Sequence, residues 1–216
     1  MQPIFEAILA NDLSPITPAA AAQVMDEDLL VTALSHWLYR GDTPLHLAAA
    51  GLRYDAAQAL LAAGTPVNTV NRRGASALHY ACDHRPLSPS WDPPAQRRLI
   101  ELLISAGAAV GQPDRGGVTP LHRAVRARSP AAVAALLSAG ADFRAVTKKA
   151  GSTPLHLAVA PTGSGGTAGA SDLQLEIIRL LLAAGATLTA VDRNGVSVAD
   201  RIQNQALRDA LAAGHP

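Results

Sequence analysis

One short phrase returns five times along the 216-residue chain and constrains the fold more than any other feature. It reads GDTPLHLAAA, GASALHYAC, GVTPLHRAV and GSTPLHLAV, and a degenerate fifth copy reads GVSVADRI. The copies begin 33, 43, 34 and 44 residues apart, and each precedes an apolar stretch ending in Ala-Gly. A unit this small cannot bury its own apolar face, so the pattern indicates a stack of similar units that share one core.

The start of each phrase predicts the start of an α-helix. Threonine supplies a hydroxyl for the free N–H groups of a first helical turn, and proline at the next position has no N–H to lose. A second apolar segment, closed by a glycine suited to a left-handed cap, predicts a second helix in each unit. The motif residues are Thr43, Pro44, Leu45, His46, Leu78, His79, Thr119, Pro120, Leu121, His122, Thr153, Pro154, Leu155 and His156.

A unit of about 33 residues with Thr-Pro-Leu-His-x-Ala is the period and signature of the ankyrin repeat, and the chain resembles that family over about residues 41–214. The resemblance implies an all-α repeat solenoid of stacked helix-turn-helix repeats, joined by hairpin-like turns and closed by N- and C-terminal capping repeats. It also implies that His46, His79, His122 and His156 are structural and hydrogen-bond locally and between neighbouring units. The implied function is a non-catalytic protein-protein interaction module that binds its partner through a concave face.

The spacing predicts a single domain over residues 1–216. The N-terminal cap covers 1–40, with helical apolar spacing over 3–10 and 28–38. The repeats follow at 41–73, 74–116, 117–150 and 151–194, and a C-terminal capping repeat covers 195–214.

Two repeats carry about ten extra residues between their helices, in loops near residues 85–94 and 160–172. Long loops cost little to close, so both insertions are compatible with simple tolerance. The first is proline-rich and contains Trp91, which either covers its own helices or anchors a partner. The second is rich in Gly, Ser and Thr and predicts a flexible segment. Binding or self-association through these loops is therefore one alternative function.

Basic residues gather at the turns although the net charge is only +1. In ankyrin proteins the turn tips and the inner helices line the binding face, so these positions are candidates for partner binding. They favour an acidic protein or peptide; solvated tips without a partner, and an anionic ligand or nucleic acid, are the alternatives. The candidates are Tyr39, Arg40, Arg72, Arg73, Asp83, His84, Trp91, Arg115, Arg126, Arg128, Lys148, Lys149 and Arg193.

Other classes of function find little support in the composition. Aromatic residues make up 3% of the chain, which disfavours base stacking and hence nucleic acid. The group His79, Cys82 and His84 lacks a second set of ligands at metal spacing. The chain contains no P-loop, dinucleotide fingerprint or nucleophile elbow. We therefore expect a monomeric cytoplasmic binding protein without catalytic residues, cofactor or metal, and without a signal peptide or membrane segment.

Overall fold

The computed structural model describes residues 3–31, 36–84, 92–160 and 171–213, which form a row of helix pairs. The chain begins with helix α1 (Pro3–Ala10) and the short helix α2 (Pro18–Ala21). Strands β1 (Leu29–Val31) and β2 (His36–Leu38) follow and form a two-stranded antiparallel sheet. Helix α1 buries Ile4, Phe5 and Ile8 against the first repeat, so this segment closes one end of the core.

The helix predicted over residues 28–38 is wrong. Leu29 pairs with Leu38 across the hairpin, and Leu30, which the helical spacing placed in an apolar stripe, is 44% exposed. Just before the hairpin, the Met25 N–H donates to the Asp42 carbonyl, and the Met25 carbonyl accepts from Gly41 N–H, both at 2.8 Å. Main-chain bonds to a distant turn therefore override the local helical pattern.

Each of the four repeats contains a first and a second helix. The first helices stack on one another along the row, and the second helices stack beside them. In chain order the pairs are α3 (Pro44–Ala50) with α4 (Tyr54–Ala62), α5 (Ala77–Ala81) with α6 (Pro93–Ser105), α7 (Pro120–Arg126) with α8 (Pro130–Ser138), and α9 (Pro154–Ala158) with α10 (Ser171–Ala183).

The repeated alanines explain how closely the helices pack. Ala48, Ala81, Ala124 and Ala158 occupy one position in successive repeats and are all 0% exposed. A methyl group at this position lets the backbones of stacked helices approach without leaving a cavity. The core is accordingly continuous from α1 to the C-terminal cap, which consists of a short 3-10 helix (Ala199–Arg201) and α11 (Gln205–Ala213).

The two insertions lengthen a helix as well as a loop. Helices α6 and α10 each have 13 residues, whereas α4 and α8 have 9, so the second helix gains about one turn in repeats two and four. Pro93 and Ser171, which fell inside the predicted loops, are the first residues of these helices. Among the helices described, none is long and apolar enough to cross a membrane.

Candidate functional site

The candidate surface is built on the turns that precede each first helix. The turn between the first two repeats is closed by a bond from Asn71 N–H to the Ala75 carbonyl, at 3.0 Å. The Asn71 side-chain oxygen also accepts from the N–H groups of Arg73 and Ala75. Asp114 and Asp192 organise later turns in the same way, because each carboxylate accepts two backbone N–H groups. A short polar side chain thus fixes each turn and leaves its tip residues to face water.

Successive turns are joined tip to tip by backbone hydrogen bonds. Arg72 N–H donates to the Arg40 carbonyl and Arg115 N–H to the Arg73 carbonyl, each at 2.9 Å. The ladder continues from Lys148 N–H to Gly116 O at 2.8 Å and from Arg193 N–H to Ala150 O at 3.0 Å. The basic tip residues therefore form one continuous edge. We call it the turn ridge, consisting of Arg40, Arg72, Arg73, Arg115, Lys148, Lys149 and Arg193.

The leading glycines of the first four phrases permit this close stacking. Gly117 has φ +76°, and a Cβ there would lie 2.8 Å from the backbone nitrogen of Lys148. Gly151, with φ +65°, would place a Cβ 2.8 Å from the nitrogen of Arg193. Both the left-handed conformation and the contact exclude a side chain, so glycine is required for the ladder.

Charge along the turn ridge is compensated at one end only. The Arg72 guanidinium forms an ion pair with Asp28, and the Arg73 guanidinium lies 4.1 Å from the centroid of the Tyr39 ring. No acidic side chain in the described ranges forms an ion pair with the remaining basic tips. An open pocket of about 450 Å³ lies on the ridge between Arg72, Arg73, Arg115 and Asp114. The basic groups of Arg115, Lys148, Lys149 and Arg193 therefore face water without an ion-pair partner among the described residues.

A half-buried charge cluster lies beside the ridge on the first helices. Arg123 donates to Asp83 at 2.8 Å and to Asp114 at 3.3 Å, and Arg126 reaches Asp83 at 3.3 Å. Burial alone would lower the pKa of Arg123, but the two carboxylates outweigh that effect and raise it. Of the predicted partner-binding residues in this cluster, Asp83 is therefore occupied by two arginines, and Arg126 remains 46% exposed.

The motif histidines link each repeat to the next. The backbone N–H of the helix N-cap donates to Nδ1 of His46, His79, His122 and His156, at 3.1 or 3.2 Å. Because a backbone N–H can only donate, Nδ1 carries no proton, so in the neutral ring Nε2 is protonated. Nε2 then donates to a carbonyl of the following repeat, as from His46 to Ala75 at 3.1 Å and from His122 to Ser152 at 3.1 Å. Burial lowers the pKa of all four rings, that of His79 to about 4.

Comparison with known proteins gives this architecture its family. The model of three consecutive ankyrin repeats matches residues 95–192, and the single ankyrin-repeat model matches residues 40–72. Together they cover more than half of the chain. The chain belongs to the ankyrin-repeat family.

Several curated proteins share these ankyrin repeats. The chain is 34% identical to the B-cell lymphoma 3 protein homolog of Mus musculus over 155 residues, which are 72% of this chain and 31% of that protein. It is 32% identical to the nuclear factor NF-kappa-B p105 subunit of Gallus gallus over 120 residues, 54% of this chain and 11% of that protein. It is 36% identical to inversin of Gallus gallus over 97 residues, 45% of this chain and 8% of that protein. The chain thus spans less than a third of the length of each relative.

The structure contradicts the predicted partner-binding role of one residue, Arg128. Arg128 is 2% exposed, and its guanidinium donates to the carbonyls of Leu157, Ala158 and Ala160, at 3.5, 2.8 and 2.7 Å. It therefore caps the C-terminal end of α9 and does not face a partner. The physical reason is that the neighbouring ankyrin repeat covers it. His84 is also largely turned inward, since its Nε2 lies 3.3 Å from the Ala49 carbonyl.

The remaining predicted side chains fall into two groups. Arg40, Arg73, Arg115, Lys148, Lys149 and Arg193 are exposed on the turn ridge, and Tyr39 lies half-buried at its first end. Trp91 and residues 161–170 of the second insertion lie outside the described residues, so a role for the loops stays a prediction. Cys82 is 0% exposed, and burial raises its pKa. In the described ranges no group of three or more His, Cys, Asp or Glu side chains could hold a metal ion.

Two sets of residues escaped the sequence prediction. Gln96 and Gln174 bind the carbonyls of Ala81 and Ala158, at 2.8 and 2.7 Å, and so hold the end of the first helix in the two ankyrin repeats with insertions. Gln96 lies seven residues before the buried Leu103, and Gln174 lies seven before the buried Leu181; this shared offset was the available signal. The second set is a row of exposed apolar residues, Val70, Pro113, Val146 and Val191, each two residues before a basic tip.

Proposed function

We infer that the chain is a protein-protein interaction module, which its membership of the ankyrin-repeat family supports. We propose that this module is non-catalytic and captures an acidic partner protein through the turn ridge. The observation that carries the proposal is the backbone ladder from Arg40 to Arg193, which aligns basic tips from successive repeats without neutralising most of them. A rigid row of this kind raises the encounter rate with an acidic surface and selects its orientation. The proposal also holds that the partner is acidic and that the chain itself is monomeric and cytoplasmic.

The geometry also favours the ridge over the charge cluster at Arg123. Arg123 already has two carboxylate partners, and Asp83 contacts both Arg123 and Arg126. An incoming carboxylate would have to displace these contacts, whereas at Lys148 and Lys149 it would replace only water. The ridge is therefore the primary binding surface in the proposal.

Charge reversal tests the proposal directly. The variant Arg115→Glu, Lys148→Glu, Lys149→Glu changes only exposed side chains, because the ladder itself uses backbone atoms. Its matched control is Arg97→Glu, Arg98→Glu, Arg179→Glu, which changes the same net charge at exposed positions on the second helices. We expect affinity capture from native lysate to lose the partner only with the ridge variant, and both variants to unfold within about 1 kcal/mol of the wild type. Equal capture by the wild type and the ridge variant would rule out the ridge as the binding surface.

A further inference from the structure

Exposed apolar side chains concentrate on the turns. Of the six large apolar residues that are exposed in the described part of the chain, four lie on the turns, namely Val70, Val146, Val191 and Val196. Val70, Val146 and Val191 are 42%, 53% and 58% exposed and occupy the same position in three of the four turns, two residues before a basic tip. Pro113, also exposed, takes that position in the remaining turn. We call Val70, Pro113, Val146 and Val191 the apolar row.

The apolar row runs beside the turn ridge in a fixed register. Each of its members lies two residues before a basic tip, in the pairs Val70 with Arg72, Pro113 with Arg115, Val146 with Lys148, and Val191 with Arg193. Val70 and Val191 form β-bridges with Ser76 and Ser197, so the backbone is extended there. Asn71 and Asp192, which lie between the members of two pairs, are only 4% and 6% exposed, whereas both members of every pair are exposed. Each of these turns therefore presents one apolar and one cationic side chain to water.

The spacing of these pairs fits one backbone conformation of a partner. Stacked helices lie about 8–10 Å apart, so the pairs recur at about that distance along the row. A polyproline II segment has three residues per turn and rises about 3.1 Å per residue, so its side chains return to one face about every 9 Å. An acidic residue at every third position would thus reach one basic tip per repeat.

Resting on the proposed function, we propose that the turn ridge and the apolar row together bind a polyproline II segment of a partner protein in which an acidic and an apolar residue recur every third position. The acidic side chains meet Arg115, Lys148 and Arg193, and the apolar ones cover the valines. The ordering cost is low because polyproline II is already a major conformer of such unfolded segments.

Two other occupants fit the surface less well. A nucleic acid would place phosphates against exposed valines, and the row contains no aromatic side chain on which bases could stack. A second copy of this chain would bring two cationic ridges face to face, which like charge opposes. The preferred occupant is therefore an acidic and apolar peptide segment.

Synthetic peptides test the register with the full chain. The probe is fluorescein-labelled (Glu-Leu-Pro)4, compared with an isomer of the same composition whose four glutamates are consecutive and with (Glu-Ser-Pro)4. We expect fluorescence anisotropy to show that the periodic peptide binds about tenfold more tightly than either comparison peptide. In the variant Val146→Ser, Val191→Ser the preference for the leucine peptide over the serine peptide should disappear. The double variant Lys148→Glu, Arg193→Glu should bind all three peptides more weakly than the wild type. The control double variant Arg98→Glu, Arg179→Glu should lose less affinity for each of them.

Each failure points to a different premise. Equal affinity for the periodic and block peptides would overturn the three-residue register, and equal affinity for the leucine and serine peptides would overturn the role of the valines. A single-stranded oligonucleotide that binds more tightly than the periodic peptide would overturn the choice of a peptide partner. The choice of a peptide partner would also be overturned if sedimentation velocity showed that the chain dimerises and that the two valine substitutions abolish the dimer. The proposed function survives these failures if ridge reversal still abolishes capture of the native partner, and it fails separately if that capture is unchanged.

Discussion

The Tyr80 hydroxyl donates a 2.7 Å hydrogen bond to Oδ2 of Asp42 across the boundary between the first and second ankyrin repeats. Asp42 is 0% exposed and also accepts from the Asn71 side chain at 2.9 Å and from Tyr39 N–H at 2.6 Å. A buried carboxylate is tolerated here because several donors surround it. The pair therefore couples two repeats through a polar contact inside an otherwise apolar stack.

Removing the Tyr80 hydroxyl tests this coupling. We expect Tyr80→Phe to lower the free energy of unfolding by about 1–3 kcal/mol, because a buried carboxylate loses a donor that nothing replaces. Urea denaturation followed by circular dichroism measures the loss. Tyr54→Phe is the matched control, since within the described ranges the Tyr54 hydroxyl forms no hydrogen bond. An equal effect of the two substitutions would show that the bond to Asp42 contributes nothing specific.

Acid should destabilise the stack before ordinary carboxylates titrate. Burial holds the pKa of His79 at about 4 in the folded chain, against 6.5 in the unfolded chain. The unfolded state therefore binds the proton first, and stability falls as pH decreases from 6.5 towards 4. His79 alone should cost about 2 kcal/mol between pH 7 and pH 5, and the lowered pKa values of His46, His122 and His156 act in the same direction.

Urea denaturation at pH 7 and pH 5 measures this loss. The variant His79→Gln should be less stable than the wild type at pH 7 but lose less stability on acidification. A pH dependence that is the same in both proteins would contradict the assignment to His79.

Arg128 should behave as a core residue although it is charged. We expect Arg128→Ala to lower the free energy of unfolding by about 2–4 kcal/mol, because the buried side chain leaves a cavity and the carbonyls of Ala158 and Ala160 keep only the Gln174 amide as a side-chain donor. Arg126→Ala, at a 46% exposed position, should cost about 1 kcal/mol or less. Thermal and urea denaturation of both variants decide the matter. Similar small losses of stability in both variants would contradict the burial of Arg128.

The Cys82 thiol should report on opening of the repeat stack. It is 0% exposed, and burial raises its pKa, so little thiolate is present or reachable in the folded chain. We expect a thiol reagent to modify it about a thousandfold more slowly than an unstructured cysteine peptide, with a rate that rises in urea as the chain unfolds. Modification at the peptide's rate in the absence of urea would show that the second repeat opens on its own.

The repeats were predictable because their signals are local. Thr119 Oγ1 accepts from His122 N–H within one turn, and Pro120 occupies the first helical position, so three residues within a four-residue segment specify where α7 begins. The N-terminal hairpin was not predictable in this way. Its segment is held by Met25, whose main-chain partners are Gly41 and Asp42, and no pattern within residues 28–38 records that contact.

In the candidate site, too, some features follow from local sequence and others from tertiary contacts. The basic residues of the turn ridge could be found from their offset to each leading glycine. Arg128 was predicted to face a partner from its position at the end of the first helix of the third repeat, yet the fourth repeat buries it. Arg72 also differs from Lys148 for a tertiary reason, because Asp28 of the N-terminal cap neutralises it. Which cations stay available depends on what packs or pairs with them from distant parts of the chain.

The sequence by itself determined where the first helix of each repeat starts, the glycine turns and the number of stacked units, since capping and left-handed backbone depend on neighbouring residues. Only the tertiary structure decided which polar side chains are buried, which carboxylates they meet, and that the tips join in one continuous ladder. Burial and ion pairing depend on contacts between residues far apart in the chain, such as Arg128 with Ala158 and Lys148 with Gly116. The fold of the repeats is thus a local property, and the character of the proposed binding surface arises from stacking.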